Sequence, residues 1–171
     1  IDLALTLANQ SALALHNSQM YEEIQQMFIS MIQTLVKSLD ARDPYTAGHS
    51  ERVAKYSVWI ARRLQLEEEQ CDQLFKAALL HDIGKIGIPD HILLKHGRLT
   101  DEEFDTIKQH TVIGAEILSN MEPQNSMVYA IQTARSHHEK MNGTGYPDRL
   151  QGDEIPLFAR IVGVADAFDA M

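Results

Sequence analysis

Three observations predict an all-α protein. Apolar residues recur at helical spacing over most of the chain. No segment shows the sustained alternation of a β-strand, and no hairpin dipeptide separates two apolar runs. Histidines and aspartates recur roughly every 30 residues from His49 onward, which is about the length of two short helices with their turns. A helical hairpin returns the chain to its starting level, so we expect these polar residues to meet in one layer of a helical bundle.

The first 40 residues predict one long helix, or two abutting helices, with a coiled-coil-like seam. Leu13, Met20 and Met27 are spaced seven apart, and no Pro or Gly interrupts the segment. This segment either packs on its own domain or connects two copies of the chain. We favour a connector that forms a homodimer, because the apolar stripe is too long for one small domain to cover.

Residues 41–171 predict a compact helical domain. Thr100 and Glu103 form a capping-box pattern, and Pro156 suits the first turn of a helix. Residues 139–155 contain several Gly and Pro residues and predict a loop. The predicted helices are 46–64, 67–80, 100–110 with a short continuation over 113–121, 124–138, and 156 to the last residue.

Composition restricts the class of function. The chain has 171 residues, 44% hydrophobic and 23% charged, as in an ordinary soluble globular domain. No apolar run is long enough for a membrane span, no signal peptide is evident, and the lone Cys71 fits a reducing compartment, so we expect a cytoplasmic protein. A net charge of -9 without a basic stripe argues against nucleic-acid polymers as partners, although bound dications would still permit a phosphate substrate. Because the chain opens with Ile1, we expect it to be part of a longer protein.

The recurring histidines and aspartates predict a metal centre. Asp82 follows an apolar helix end and Asp166 lies in an apolar stretch, so both carboxylates need compensation. Adjacent residues point about 100° apart on a helix, so a pair serves one site only at a helix end. Taken alone, each histidine is more often a satisfied or exposed side chain. Their joint spacing favours a two-metal hydrolase, with iron or manganese preferred for such mixed ligands and Lys85 as a phosphate contact. The candidate ligands are His49, His81, Asp82, His110, His137, His138 and Asp166.

Two motifs resemble those of a known family. His81-Asp82-Ile83-Gly84-Lys85 resembles the HD motif of the HD-domain phosphohydrolases, and Gly145-Tyr146-Pro147 resembles the second motif of the HD-GYP subfamily. The segments 43–50 and 164–169 fit the same pattern, and the resemblance covers 39–171. It implies an HD-type helical bundle with a binuclear or trinuclear centre, often of iron or manganese. It also implies hydrolysis of cyclic di-GMP to pGpG or GMP, while some similar members cleave mixed cyclic GMP-AMP.

The resemblance also implies roles for individual residues. Trinuclear members use a glutamate at the position of Tyr45, so we expect two metals here. Thr111 stands where the family usually has Pro. The family pattern continues with a basic phosphate-binding segment after Met171, so we expect an incomplete domain. By resemblance, Asp82 bridges the ions, Lys85 contacts phosphate, and the ion ligands are His49, His81, Asp82 and Asp166 for one ion and Asp82, His110, His137 and His138 for the other.

The N-terminal end has a resemblance of its own. Residues 8–17 resemble the last helix of a GAF sensory domain, which implies an upstream ligand-sensing module. The expected organisation is a GAF-like remnant over 1–19, a helical connector over 20–40 and an HD-GYP domain over 41–171.

The leading hypothesis is a metal-dependent cyclic di-GMP phosphodiesterase, with Asp82 and Lys85 as catalytic residues and an N-terminal sensor as regulator. Gly145, Tyr146 and Pro147 would shape the substrate rim or dock a GGDEF cyclase partner. They would otherwise form only a rigid turn, in which Gly145 supplies an unusual dihedral angle. A nucleotide phosphohydrolase of the wider HD group and a catalytically weak or inactive module that binds a dinucleotide or a partner remain alternatives.

Overall fold

The computed structural model describes residues 2–42 and 48–171, apart from the side chains of Asp2 and Gln124. The predicted motif residues 43–47, including Tyr45, lie outside the described residues. Within the described part the fold is all-α, as predicted, and its one β-type contact is an isolated bridge between Asn142 and Gln151. No helix in the described ranges is both long and apolar enough to cross a membrane.

The described ranges contain seven α-helices and three short 3-10 helices. The 3-10 helices cover Ile83–Gly87, Gln124–Ser126 and Gly152–Glu154. The α-helices are α1 (Asp2–Asp40), α2 (His49–Arg63), α3 (Glu68–Leu79), α4 (Asp90–Leu93), α5 (Asp101–Ser119), α6 (Val128–Ser136) and α7 (Leu157–Asp169).

The chain divides into two compact units, Ile1–Thr34 and Leu35–Met171. Residues 2–34 of the first unit belong to the single uninterrupted helix α1, so the alternative of two abutting helices does not apply. Its heptad side chains Leu13, Met20 and Met27 are exposed to solvent in the single chain.

The second unit is built around helices that pack closely through small residues. Helix α2 packs on α3 and α7, and α5 packs on α6 and on the 3-10 helix Ile83–Gly87. Leu74, Val53 and Val162 are fully buried, and alanines fill much of the remaining helix contact. Tight packing of this kind holds side chains in fixed positions, which is what a preformed polar site needs.

Helix α5 differs from its prediction because it runs without a break through residues 110–113. The hydroxyl of Thr111 donates to the Lys108 carbonyl oxygen at 2.9 Å, so this residue is accommodated inside the helix. The predicted capping box is confirmed: Thr100 Oγ1 accepts from the Glu103 amide, and the Glu103 carboxylate accepts from the Thr100 amide at 2.7 Å.

Two other helix ends also differ from prediction. The segment predicted as helix over 124–138 is a 3-10 turn followed by α6, which ends at Ser136. Helix α7 ends at Asp169 rather than at the last residue. The early end of α6 leaves His137 and His138 in the turn that follows it.

Candidate metal centre

Helix ends bring the two adjacent polar pairs to one place. Helix α3 ends at Leu79, so His81 and Asp82 lie in the turn that follows, and His137 and His138 stand in the same relation to α6. In a turn, neighbouring side chains are not forced about 100° apart as they are on a helix. Both pairs can therefore face a single point.

The seven predicted ligands form one cluster. Asp82, His110, His137 and His138 offer ligand atoms that all lie within 4.8 Å of one another, and His49, His81 and Asp82 form a second such group. Asp166 joins them through Oδ1, which lies 3.1 Å from Nε2 of His49. Asp82 belongs to both groups, which is the arrangement that two neighbouring cations with a shared carboxylate require.

Three of the imidazoles are anchored in the same way, by a hydrogen bond from Nδ1 to a backbone carbonyl oxygen in the preceding turn. Because a carbonyl oxygen only accepts, each Nδ1 carries the hydrogen, and each neutral ring presents a lone pair at Nε2. Such bonds fix the tautomer of metal-ligating histidines. The pairs are His81 with Ala78 at 2.7 Å, His110 with Ile107 at 2.6 Å, and His137 with Thr133 and Ala134 at 3.0 Å.

The lone pairs of these rings point at one another and at a carboxylate. Nε2 of His110 lies 3.4 Å from Nε2 of His137 and 3.3 Å from Asp82 Oδ1. Nε2 of His81 lies 3.4 Å from Asp82 Oδ2. Both His81 Nε2 and Asp82 Oδ1 are buried without an aligned hydrogen-bond partner. Acceptors that face each other in a buried pocket are costly unless a cation lies among them, so this donor set fits divalent metal ions.

Protonation states in the cluster also suit metal binding. Burial lowers the pKa of His81 to about 4. Burial, together with the neighbouring His137 and His110, lowers the pKa of His138 to about 2. Both rings are therefore neutral near pH 7, the form that coordinates a metal.

The carboxylates of the cluster are ionised. Burial opposes the charge of Asp82, but His81 and Lys85 outweigh it and hold the pKa of that carboxyl well below its ordinary value. For Asp166 the opposing burial is outweighed by the hydrogen bond with His49, and the pKa falls to about 2. The cluster thus combines at least two neutral imidazoles, those of His81 and His138, with two ionised carboxylates, a donor set that suits divalent transition metals.

Lys85 lies at the edge of the cluster. Its Nζ is 2.6 Å from Asp82 Oδ2, and about a fifth of its side chain is exposed. The position within the 3-10 helix Ile83–Gly87 explains the contact, since Lys85 follows Asp82 by one turn.

The Gly-Tyr-Pro loop adjoins the cluster through an aromatic ring. The centroid of the Tyr146 ring lies 4.8 Å from that of His138 and 6.3 Å from that of Phe104. The expectation that Gly145 supplies an unusual dihedral angle was wrong, because its φ is not positive. Glycine is needed there for close approach: a Cβ would lie 2.4 Å from Glu139 Cα and from the Lys140 amide nitrogen.

Two acidic residues near the cluster were missed in the sequence. The Glu139 carboxylate accepts hydrogen bonds from the amides of Asp148, Arg149 and Leu150, and so braces the Gly-Tyr-Pro loop. Asp169 accepts a hydrogen bond from Nδ1 of His49 at 2.7 Å. Its signal in the sequence was its spacing, since it follows Asp166 by three residues on one helix and hence shares its face.

Comparisons with known proteins agree with the fold and the motifs. The family model described as HD domain matches residues 12–171. A protein of Vibrio cholerae named 3'3'-cGAMP-specific phosphodiesterase 3 is 41% identical over 99% of this chain and 36% of its own length. A Thermotoga maritima protein named cyclic di-GMP phosphodiesterase is 44% identical over 90% of this chain and 41% of its own length.

One solved structure supports the same fold. The Bd1817 protein of Bdellovibrio bacteriovorus, described as an HDG"Y"P protein, matches with a TM-score of 0.61 and 26% identity, over 71% of this chain and 39% of its own. The chain thus spans well under half the length of these relatives. With the family match extending over nearly all of its residues, the chain belongs to the HD domain family and carries an HD-GYP-type domain.

Proposed function

We propose that this chain is the catalytic part of a metal-dependent phosphodiesterase that hydrolyses cyclic dinucleotides, with cyclic di-GMP as the first candidate substrate. The observation that carries the proposal is the buried set of imidazole lone pairs directed at the shared carboxylate of Asp82. The names of the Vibrio cholerae and Thermotoga maritima relatives give the substrate class, cyclic dinucleotides, and leave the choice between cyclic di-GMP and 3'3'-cGAMP to experiment.

The proposed centre holds two ions, iron or manganese by preference. Bound there, two divalent cations supply positive charge for the phosphodiester and lower the pKa of a water molecule. Asp82 serves both positions. The other proposed ligands are His49, His81 and Asp166 for one ion, and His110, His137 and His138 for the other.

Lys85 has the position and chemistry to hold a phosphate oxygen. Its ammonium group contacts Asp82 Oδ2 at 2.6 Å, so a phosphate that reaches Asp82 also comes within reach of Lys85. A point charge of this kind stabilises negative charge that develops during hydrolysis. The proposed products are linear pGpG and, after a second cleavage, GMP.

A cavity of about 700 Å³ next to the Gly-Tyr-Pro loop suits the rest of the substrate. Phe104 and Tyr146 supply aromatic surface, while Lys108, Lys140 and Arg149 supply positive charge. Lys108 Nζ lies 4.7 Å from the centroid of the Phe104 ring. A cyclic dinucleotide carries two phosphates and two planar bases, which are the groups that such a surface binds. We propose Gly145, Tyr146 and Pro147 as the rim of this cavity, with docking of a GGDEF cyclase as the alternative role.

The end of helix α1 provides a route for regulation. The Asp40 carboxylate accepts from the Gly48 amide at 3.1 Å, just before His49. The Arg42 guanidinium donates to the carbonyl oxygens of Lys85 at 3.2 Å and Ile88 at 2.6 Å. Displacement of α1 would therefore act on the backbone beside both His49 and Lys85. We propose that a GAF-like sensor, with residues 1–19 as its last helix and 20–40 as connector, regulates the HD-GYP domain of a cytoplasmic homodimer in this way.

The test is a hydrolysis assay with metal-loaded protein on cyclic di-GMP and 3'3'-cGAMP. Replacing Asp82 by Ala should reduce turnover by roughly 100-fold or more, since loss of a residue that only supports a ligand already costs 10–100-fold. The matched control is His91→Ala, which removes an exposed histidine outside the cluster. Circular dichroism shows whether each variant keeps its helices.

Two results would contradict the proposal. Turnover of Asp82→Ala equal to that of the wild type would remove the metal centre from the reaction. Tight binding of a dinucleotide by the metal-loaded wild type without hydrolysis would instead support the inactive signalling module.

A further inference from the structure

His49 differs from the three anchored histidines in what holds its Nδ1. His81, His110 and His137 each follow a helical turn whose carbonyl oxygens accept from the ring. His49 is the first residue of α2, so that helix provides no preceding turn to accept its hydrogen. Its Nδ1 lies instead 2.7 Å from Oδ2 of Asp169, a carboxylate from α7 that is 120 residues away in the chain.

Asp169 is itself held firmly. The Arg52 guanidinium donates to both of its oxygens, from Nε to Oδ1 at 2.7 Å and from Nη2 to Oδ2 at 2.8 Å. Only 5% of the Asp169 side chain is exposed. A bidentate pair of this geometry fixes the plane of the carboxylate as well as its position.

The contact forms a ladder between two helices. Helix α2 contributes His49 and, three residues later, Arg52, while α7 contributes Asp166 and, three residues later, Asp169. Asp166 contacts Nε2 of His49 at 3.1 Å and Asp169 contacts Nδ1 of the same ring. The ring is thus held between a proposed metal ligand and a carboxylate that is itself outside the cluster.

We propose that Asp169, held by Arg52, is a positioning residue that keeps His49 in its Nδ1–H form and directs Nε2 toward the ion shared with His81 and Asp166. This inference rests on the proposed metal centre. A carboxylate behind a histidine orients the ring and makes it a better ligand, and loss of such a residue typically costs 10–100-fold in metal affinity. Because His81, His110 and His137 are anchored on their own backbone, the effect should be confined to the ion of the His49 group.

The experiment is a metal titration of Asp169→Ala and Asp169→Asn in the whole chain. We expect Asp169→Ala to bind one of two manganese ions with 10–100-fold lower affinity and the other as the wild type does. Asp169→Asn keeps an oxygen that accepts from Nδ1 and should recover part of this loss. Elemental analysis after dialysis against a chelator gives the stoichiometry, which should fall from two ions to one.

The matched control is Asp153→Ala, which breaks the exposed ion pair with Arg160 at 2.9 Å. It should leave both manganese affinities unchanged. The inference is overturned if Asp169→Ala binds both ions as the wild type does. It is equally overturned if both ions are lost to the same degree in Asp169→Ala and Asp169→Asn, which indicates a general structural role.

Failure of the proposed function gives a different result. If the wild-type protein binds two manganese ions but hydrolyses no cyclic dinucleotide, the proposed phosphodiesterase activity is contradicted. The positioning role of Asp169 is then still decided by the manganese titration. A wild-type protein that hydrolyses the substrate while Asp169→Ala binds both ions normally contradicts only the positioning role.

Discussion

Replacing Gly84 by Ala should separate the two halves of the metal centre. A Cβ at position 84 would lie 1.9 Å from the carbonyl oxygen of His110 and 2.5 Å from the amide nitrogen of Gly114. Both are backbone atoms of α5 and cannot rotate away. Ordinary van der Waals contact begins near 3.4 Å, so the turn that carries His81 and Asp82 must move from α5 by roughly 1.5 Å.

The expected cost follows from that displacement. Overpacking a close contact typically costs about 1–3 kcal/mol, and we expect a value near the upper end because the Cβ would meet backbone atoms of α5, which no side-chain rotation can move. Movement of Asp82 relative to His110 also disturbs both groups of proposed ligands. The free energy of unfolding, measured by urea titration, should fall by about 3 kcal/mol, and manganese affinity should fall for both ions.

The matched control is Gly87→Ala in the same 3-10 helix. The three atoms nearest its Cβ would all belong to the side chain of Ile113, with Cδ1 at 3.0 Å, and that side chain can rotate. We expect a loss below about 1 kcal/mol and unchanged metal affinity. Wild-type stability and metal binding in Gly84→Ala would refute the argument that this close approach builds the centre.

Three further predictions concern protons, metals and the rim. Burial lowers the pKa of His81 from 6.5 to about 4, so this residue alone should cost the metal-free protein up to roughly 3 kcal/mol of stability as the pH falls from 6.5 to 4. Urea unfolding at several pH values measures this loss, and His81→Gln should make it smaller; an equal loss in His81→Gln would exclude His81 as a cause. Manganese at 100 times its Kd should raise the free energy of unfolding by about 2.7 kcal/mol for each ion bound, and a chelator should reverse the gain in Tm. No shift in Tm would argue against a native-state metal site. Lys108→Ala should raise KM for cyclic di-GMP several-fold and leave metal affinity unchanged, because Lys108 lines the cavity next to the Gly-Tyr-Pro loop and lies outside the cluster of proposed metal ligands. An unchanged KM would exclude this cavity from substrate binding.

The sequence was sufficient to predict the all-α class and the meeting of its histidines and aspartates. The polar residues are evenly spaced, and each lies beside an apolar helical segment. A chain of helical hairpins with this spacing returns to the same layer of the bundle at each polar residue. The requirement that His81-Asp82 and His137-His138 stand at helix ends followed from the direction of adjacent side chains on a helix. Both pairs do follow helix ends, after Leu79 and Ser136.

Other features depend on contacts between distant parts of the chain. The periodicity of the sequence could not show that Gly84 faces the backbone of His110. Nor could it show that the Glu139 carboxylate accepts hydrogen bonds from three amides of the loop that follows it. The hydrogen bond between Asp169 and His49 joins two distant parts of the chain. The three-residue spacing from Asp166 places Asp169 on the same helix face, but it does not identify His49 as the partner. Gly145 illustrates the same limit, since close approach, rather than its own dihedral angle, explains the glycine.

The most direct test is a crystal structure of the manganese-loaded chain with anomalous diffraction data. We expect two anomalous peaks, one on each side of the Asp82 carboxylate: one beside His49, His81 and Asp166, and the other beside His110, His137 and His138. Absence of manganese from this cluster, or manganese bound only elsewhere on the chain, would contradict the proposed metal centre.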